Sequence, residues 1–301
     1  MTLWLVTILA VLAVAIGRYL SLEVRITKYR LAREQARVLA RGGVYLAMQR
    51  LADDLEEPEP DGTAHDWLGD DWATVSEPDP EGKMTIRITD EERKLSLNTA
   101  SKIELARLTG DETVAQVIVD ARDEPAPEEE QSSAEPTYLP KNGPFAASEE
   151  LGDLPGMTPE RYDLLMAGTS PYTAGDPVNL NTVTPEVLRA MGVSESAVWL
   201  IMRFREGPDG SDAHDEDGVF REAGITILHT LKDQAGVDLT GTDDGNLLIA
   251  GDVGVSSRTF TVVSEGIVER PTVRVRVEAV IRRAGCGEGA PSPCIIAWRE
   301  G

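Results

Sequence analysis

Three groups of side chains in this 301-residue chain have chemistry suited to a functional site. Carboxylates are concentrated in residues 120–135 and 209–218, and both segments are too polar to be buried without solvent or a metal ion. The second segment lacks the glutamate that an EF-hand loop requires, so it is the weaker metal candidate. Cys286 and Cys294 flank a turn-rich segment. A disulfide between them would close a hairpin and imply an oxidising compartment; two free thiols are the alternative.

The histidines do not form a catalytic pattern. His65, His214 and His229 are scattered along the chain, and no HExxH, GxSxG or phosphate-loop spacing occurs. No nucleophile and base occur at a sequence spacing that indicates a catalytic pair. We therefore predict that the protein is not an enzyme.

A long N-terminal helix must carry these segments. Residues 3–16 are apolar without a charge, and beyond Arg18 apolar residues recur every three or four positions among charged ones. No proline occurs before Pro58, which predicts a single helix of roughly 80 Å at about 1.5 Å per residue. The apolar run is short for a bilayer span and is also typical of a signal peptide. The uncharged start and the continued helical pattern favour a membrane anchor.

Charge is distributed unevenly along the chain. The formal net charge is -23, and residues 1–50 contain eight Lys/Arg and two Asp/Glu, so the remainder has a charge of -29. Such an acidic body repels phosphate backbones, which argues against nucleic acid and favours calcium or basic partners. The basic N-terminal helix, which we call the stalk, could face acidic lipids or acidic neighbouring proteins, or its charges could simply be solvated. The positive-inside rule would place these cations in the cytoplasm.

The body contains four segments with strand character. Residues 84–89 alternate apolar and polar side chains, and three similar segments follow much later, at 260–268, 272–282 and 294–298. One strand is not stable alone. We therefore predict one antiparallel sheet whose first strand is separated from the other three by an inserted domain.

The insert, residues 95–250, is predicted to be helical and to contain an internal repeat. LSLNTASKIELARL at 95–108 recurs as VNLNTVTPEVLRAM at 178–191. Each copy has Asn and Thr, then Ser or Thr, followed by a first-turn glutamate, the pattern of a capped helix start.

These two segments, with NGPFAASEELGDLPGMTPERYDLL between them at 142–165, resemble the K-type minor pseudopilin of type II secretion systems, general secretion pathway protein K. The resemblance covers nearly the whole chain. It implies an α+β fold, with a pilin-like long N-terminal helix, a small antiparallel sheet, and a large all-α domain of two helix-hairpin-helix or SAM-like repeats inserted in the sheet. The implied domains are the stalk helix 1–55, the pseudopilin domain 56–94 with 251–301, and the insert 95–250.

The resemblance also implies a function. The protein would be a non-catalytic subunit at the tip of the secretion pseudopilus, nucleating assembly and supporting export of folded proteins across the outer membrane. Its partners would be the I-, J- and H-type minor pseudopilins, the major pseudopilin, the inner-membrane assembly platform and membrane lipid. It would cross the bacterial inner membrane once, with its body in the periplasm.

Two alternatives remain. The chain could be a minor pilin of a related type IV pilus, or a membrane-anchored helix-hairpin-helix DNA-binding protein. The second is weakened because Gly192-Val193-Ser194 lacks the second glycine of a DNA-binding hairpin.

Individual residues take their roles from the resemblance. Met1 would be the processed, methylated N-terminus. Leu5 stands where most pilin-like subunits have glutamate, as expected of a subunit with nothing stacked above it.

Calcium is the one cofactor implied. Its ligands would be Asp120, Asp123, Glu124 and Glu135, although Ala121 and Pro125 depart from the family pattern. Carboxylates on a flexible loop suit this hard cation.

Overall fold

The computed structural model describes residues 2–56, 64–74, 83–123, 141–208, 210, 214, 217–287 and 293–301. Helix α1 spans Thr2–Glu56 without interruption. It ends two residues before Pro58, which cannot donate a backbone hydrogen bond to the helix. The predicted single long helix is therefore confirmed.

A four-stranded antiparallel sheet packs against the C-terminal half of α1. Its strands are β1 (Met84–Asp90), β6 (Thr259–Glu269), β7 (Thr272–Arg282) and β8 (Cys294–Glu300), in the order β1-β6-β7-β8. Asp90 pairs with Phe260, so the chain leaves the sheet and returns to it at neighbouring positions. The predicted sheet, with its first strand separated in sequence from the other three, is confirmed.

The described residues between β1 and β6 form mainly helices. After the short α2 (Asp71–Thr74), which precedes β1, the helices are α3 (Lys102–Thr109), α4 (Glu112–Arg122), a 3-10 helix (Ser148–Asp153), α5 (Pro159–Gly168), α6 (Pro185–Met191), α7 (Glu195–Arg205), α8 (Ile225–Ala235) and α9 (Asp243–Leu248). Four two-residue strands accompany them as two parallel pairs: β2 (Leu95–Ser96) with β3 (Thr169–Ser170), and β4 (Val178–Asn179) with β5 (Val253–Gly254). The insert is therefore helical with two short parallel pairs, whereas the prediction made it all-α.

The two sequence repeats adopt matching structures. Asn98 accepts from the backbone N–H of Phe145 at 2.7 Å and donates to its carbonyl oxygen at 3.0 Å. Asn181 makes the same pair of bonds to Phe220, both at 2.8 Å. Each asparagine thus fastens the segment that follows its helix pair onto the start of its own repeat.

An arginine at the end of the second helix completes each repeat. Arg122 donates to the carbonyl oxygens of Leu97 and Ala100, and Arg205 donates to those of the equivalent Leu180 and Val183. The predicted helix starts are correct: Ser101 and Thr184 occupy the N-cap positions, and the Ser101 side chain accepts from the backbone N–H of Glu104. The asparagines do not cap because their amide groups are used in these longer-range bonds.

The described residues form two hydrophobic clusters. One lies mainly within the insert and runs from Leu95 to Val255, just beyond the predicted end of the insert; the other joins α1 to the sheet and includes Leu51, Trp72 and Phe260. The predicted domains 1–55, 56–94 with 251–301, and 95–250 stay a prediction.

Candidate interaction face and the buried joint

The face of α1 that packs on the sheet is built from small side chains, which let the helix approach closely. Its buried members are Ala32, Ala36, Ala40, Val44, Ala47 and Leu51. On the sheet, a Cβ atom at Gly266 would lie 1.9 Å from the carbonyl oxygen of Ala36. Backbone-to-backbone contact at this point requires glycine.

The opposite face of α1 carries an apolar stripe that nothing in the described chain covers. Val24, Leu31, Val38 and Tyr45 follow one another at seven-residue intervals and are 55%, 60%, 67% and 61% exposed. Residues seven apart lie within about 20° of one another around a helix, so the four side chains form a line. We call these four residues the stalk stripe. Its heptad spacing is that of helices that pack side by side.

The N-terminal part of α1 extends beyond the sheet. Its apolar side chains are exposed, with Leu5 65% exposed, and the helix is long and apolar enough to cross a membrane. Met1 lies outside the described residues, and its processing and methylation stay a prediction.

Ion pairs connect the stalk to the last strand of the sheet and to the segment that follows β7. Arg41 Nε lies 2.6 Å from a carboxylate oxygen of Glu300, the last residue of β8. Near the end of α1, Asp54 lies 2.5 Å from Arg283 Nη1, just after β7. The position of the stalk is thus fixed by charge as well as by packing.

A cluster of buried polar residues, which we call the joint, connects stalk, sheet and insert. Its centre is Asp90, whose Oδ2 accepts from Thr182 at 2.5 Å and from Ser257 at 2.7 Å. Asn179, also from the second repeat, donates to the same Ser257 at 2.8 Å. The insert is therefore attached through the repeat segment that the sequence singled out.

The same joint includes an ion pair. Arg283 donates to Asp66 Oδ2 at 2.7 Å and stacks over the ring of Phe260, 5.1 Å from its centroid. Asp66 also accepts from the backbone N–H of Ser257 at 2.6 Å. The loop before β1 is thereby tied to the residues that lead into β6.

The joint contains more carboxyl groups than cations in the described part of the chain, and burial changes their acidity. Desolvation raises the pKa of Glu92 to about 9, and the charge of the neighbouring Asp90 adds to this rise. Burial also raises the pKa of Asp70 to about 7 and raises that of Asp90. Glu92 is therefore a neutral acid at pH 7, and its proton relieves repulsion inside the joint.

The joint was not predicted from the sequence. Its acids at 90–92 read as a polar turn after a strand, and their partners come from distant parts of the chain. The second copy of the repeat, which reads Asn-Leu-Asn-Thr, was an available signal, because its first asparagine and its threonine, Asn179 and Thr182, both reach the joint.

The structure describes only two of the four proposed calcium ligands. Asp120 accepts from Gln116 at 2.6 Å and Asp123 pairs with Arg122 at 2.6 Å, while Glu124 and Glu135 lie outside the described residues. Within the described ranges no group of three or more His, Cys, Asp or Glu side chains could hold a metal. The described ligands therefore do not by themselves fit calcium, and its binding stays a prediction.

The other predicted residues have simpler positions. Cys286 and Cys294 form a disulfide that joins the segment after β7 to the start of β8. Of the histidines, His65 is buried, while His214 and His229 are exposed. These positions assign no chemistry to the histidines.

The turn that resembled a DNA-binding hairpin is already occupied by an acid. The backbone N–H of Ser194, which a phosphate group would need, donates to Asp244 at 2.8 Å, and the Ser194 hydroxyl donates to the same carboxylate at 2.6 Å. A carboxylate at this position repels phosphate. This geometry disfavours the DNA-binding alternative.

A long helix whose C-terminal half packs on a small antiparallel sheet defines a pilin-like α+β fold. A solved structure with the same architecture comes from the crystal structure of the GspK-GspI-GspJ complex of the enterotoxigenic Escherichia coli type 2 secretion system. The similarity has a TM-score of 0.64 at 16% sequence identity and covers 91% of this chain and 99% of that chain. No family model and no curated protein matches the sequence. The shared fold is the one that the resemblance to the K-type pseudopilins implied.

Proposed function

We propose that this chain is a non-catalytic minor pseudopilin that acts at the tip of a type II secretion pseudopilus. In this role it is anchored in the bacterial inner membrane by the start of α1, with its body in the periplasm. It nucleates assembly with the I-, J- and H-type minor pseudopilins and supports export of folded proteins across the outer membrane. The fold shared with a chain of the GspK-GspI-GspJ complex is the observation that carries the proposal.

The stalk stripe supports an assembly role. An apolar line on the face opposite the sheet loses solvent contact when another helix packs against it. The two faces of α1 thus have separate tasks: Ala36 and Ala40 hold the body, and Leu31 and Val38 are free for a neighbouring subunit.

Two features support the tip position. The insert adds a second domain to the body, which a tightly wound filament cannot easily stack above. Leu5 also offers no carboxylate to the terminal amine of another subunit. A subunit with these properties fits where the filament ends.

Co-purification tests the proposal. The full chain in detergent is mixed with candidate I- and J-type minor pseudopilins from the same genome, with calcium or with a chelator. We expect a stable ternary complex, and a complex that forms only with calcium would support a metal site near residues 120–135. A chain that stays alone with both partners would contradict the proposal.

Paired variants locate the contact. Leu31→Asp combined with Val38→Asp should weaken the complex about tenfold or more, because two charges would have to be desolvated at the helix contact. Trp199→Asp is the matched control, since this side chain is 66% exposed but lies on the insert. An equal loss of affinity in the double variant and in Trp199→Asp would exclude the stalk stripe as the specific contact.

A further inference from the structure

A cleft between the stalk and the turn of the β6–β7 hairpin is lined by unpaired cations. Its volume is about 660 Å³, and its lining residues are Arg25, Lys28, Tyr29, Glu269, Arg270, Pro271 and Thr272. Arg25, Lys28 and Arg270 are exposed, and none of them forms an ion pair within the described residues. Arg25 and Lys28 on the stalk and Arg270 on the turn therefore line the same cleft, together with one acid, Glu269.

The cleft lies at the height of lipid headgroups if the start of α1 spans a bilayer. About 20 residues cross the hydrocarbon core, so a span beginning at Thr2 would end near residue 21. Arg25 and Lys28 would then stand about 6 to 10 Å beyond that point at about 1.5 Å per residue. The headgroup layer occupies roughly 5 to 8 Å on each side of the core, so Arg25 would lie within it and Lys28 just beyond its outer edge.

Aromatic residues mark the two ends of the apolar segment. Trp4 and Tyr19 are 76% and 66% exposed and lie near the two ends of the apolar segment. Trp and Tyr concentrate at membrane–water interfaces, where their rings sit at headgroup level. Tyr29, 51% exposed, lies in the cleft itself.

We propose that this cleft binds the phosphate groups of anionic lipids in the leaflet next to the body. The inference rests on the membrane anchoring proposed above. The remainder of the chain beyond residue 50 has a formal charge of -29 and is repelled by an anionic surface. Cations on the hairpin turn and the adjacent stalk let the lower end of the body rest on the membrane despite that repulsion. They also account for a basic cluster on the body's side of the membrane, opposite to the positive-inside expectation.

A distance measurement in membranes tests the inference. The full chain carries a donor dye at Glu265→Cys, on β6 outside the cleft, and the native cysteines are tied in their disulfide. It is reconstituted into phosphatidylcholine vesicles with or without about 30 mol% phosphatidylglycerol and an acceptor on the headgroups. We expect energy transfer to rise about twofold with the anionic lipid and to fall back in about 0.5 M salt, where screening is short-ranged.

Two double variants of equal charge change separate the cleft from general electrostatics. Arg25→Glu with Arg270→Glu should abolish the rise, whereas Lys102→Glu with Arg203→Glu, both exposed on the insert, should leave it intact. Phosphate buffer should act like chloride at the same ionic strength; a selective loss in phosphate would indicate a small-anion site and contradict the proposal. Equal transfer in neutral and anionic vesicles would overturn the proposal.

Integration into the vesicles is measured first, by flotation after an alkaline carbonate wash. A chain that does not float contradicts both the anchor and the lipid site. A chain that floats but ignores anionic lipid contradicts the lipid site alone.

Discussion

At the scale of single residues, the joint shows how buried acids can fasten two domains. Asp90 is 2% exposed and Glu92 is 1% exposed, although acidic side chains are almost never fully buried unless they are paired. Here hydroxyl and amide donors surround Asp90, and protonation removes the charge of Glu92. The joint therefore depends on protons as well as on hydrogen bonds.

This dependence predicts stability that falls with rising pH. A carboxyl group whose pKa is raised by folding stabilises the folded state most at low pH. This contribution is lost as the pH rises from the pKa of the unfolded chain, about 4, to the raised pKa of the folded state. For Asp70 the loss ends near pH 7 and for Glu92 near pH 9. Each such group lowers the free energy of unfolding by about 1.4 kcal/mol per pH unit within its window.

Glu92→Gln should reduce the fall in the free energy of unfolding with rising pH. The amide imitates the neutral acid and can still accept from the backbone N–H of Thr259, which now donates to Glu92 at 3.0 Å. Urea unfolding in detergent at pH 6 and pH 9 measures the difference. Glu112→Gln, an exposed acid at the start of α4, is the control and should keep the wild-type decline. An unchanged decline in Glu92→Gln would show that Glu92 is charged in the fold.

Leu5 carries the second prediction at this scale. If nothing stacks above this subunit, Leu5→Glu should either impair assembly or let the subunit enter the filament shaft, because a new carboxylate becomes available to a terminal amine. Secretion assays and labelling of the subunit along isolated filaments would measure this. Wild-type secretion and a wild-type tip location would argue against Leu5 as a tip determinant.

At the scale of elements, the helix–sheet contact depends on two closely opposed backbones. Gly266→Ala should destabilise the chain by about 1 to 3 kcal/mol, because the added methyl group overpacks the contact with Ala36. Gly42→Ala on α1 is the control, since a Cβ there meets nothing within 4 Å. It should be neutral or should stabilise by about 0.5 to 1 kcal/mol. Thermal unfolding of both variants compares them, and equal stability would mean that the helix can move aside.

Elements with regular patterns were the predictable part of this fold. The helix period in α1 and the alternation in Met84–Asp90 and Thr272–Arg282 arise from local burial, which a sequence displays directly. The two-residue parallel strands were not predictable, because two residues are too few to display a period. The asparagine bonds to Phe145 and Phe220 were also missed, since a local pattern does not show which distant backbone an amide side chain will reach.

At the scale of the whole molecule, the chain is a basic stalk carrying an acidic body. One face of the stalk packs on its own sheet and the opposite face is exposed, and the cationic cleft lies between the stalk and the β6–β7 turn. Composition predicted this charge separation, but it did not locate the cleft. Arg25 and Arg270 are brought together only by the antiparallel pairing of β6 with β7 and its packing on α1.

The pairing of Asp90 with Phe260 has a consequence for folding kinetics. The two residues are separated by about 170 positions, and the entropy cost of closing a loop grows with its length. The insert has its own hydrophobic cluster, and its repeats close through local bonds. Once it folds, its two ends lie side by side, and β1 needs to close only a short connection to reach β6. We therefore expect the insert to fold before the first strand joins the sheet.

Pulse-labelled hydrogen exchange during refolding checks this order. Amides in α4 and α7 should become protected before those of β1, while the β6–β7 hairpin, joined by a short turn, can form at any stage. Protection of β1 ahead of the insert would contradict the expected order. In this order of events, folding of the insert determines when β1 can complete the sheet.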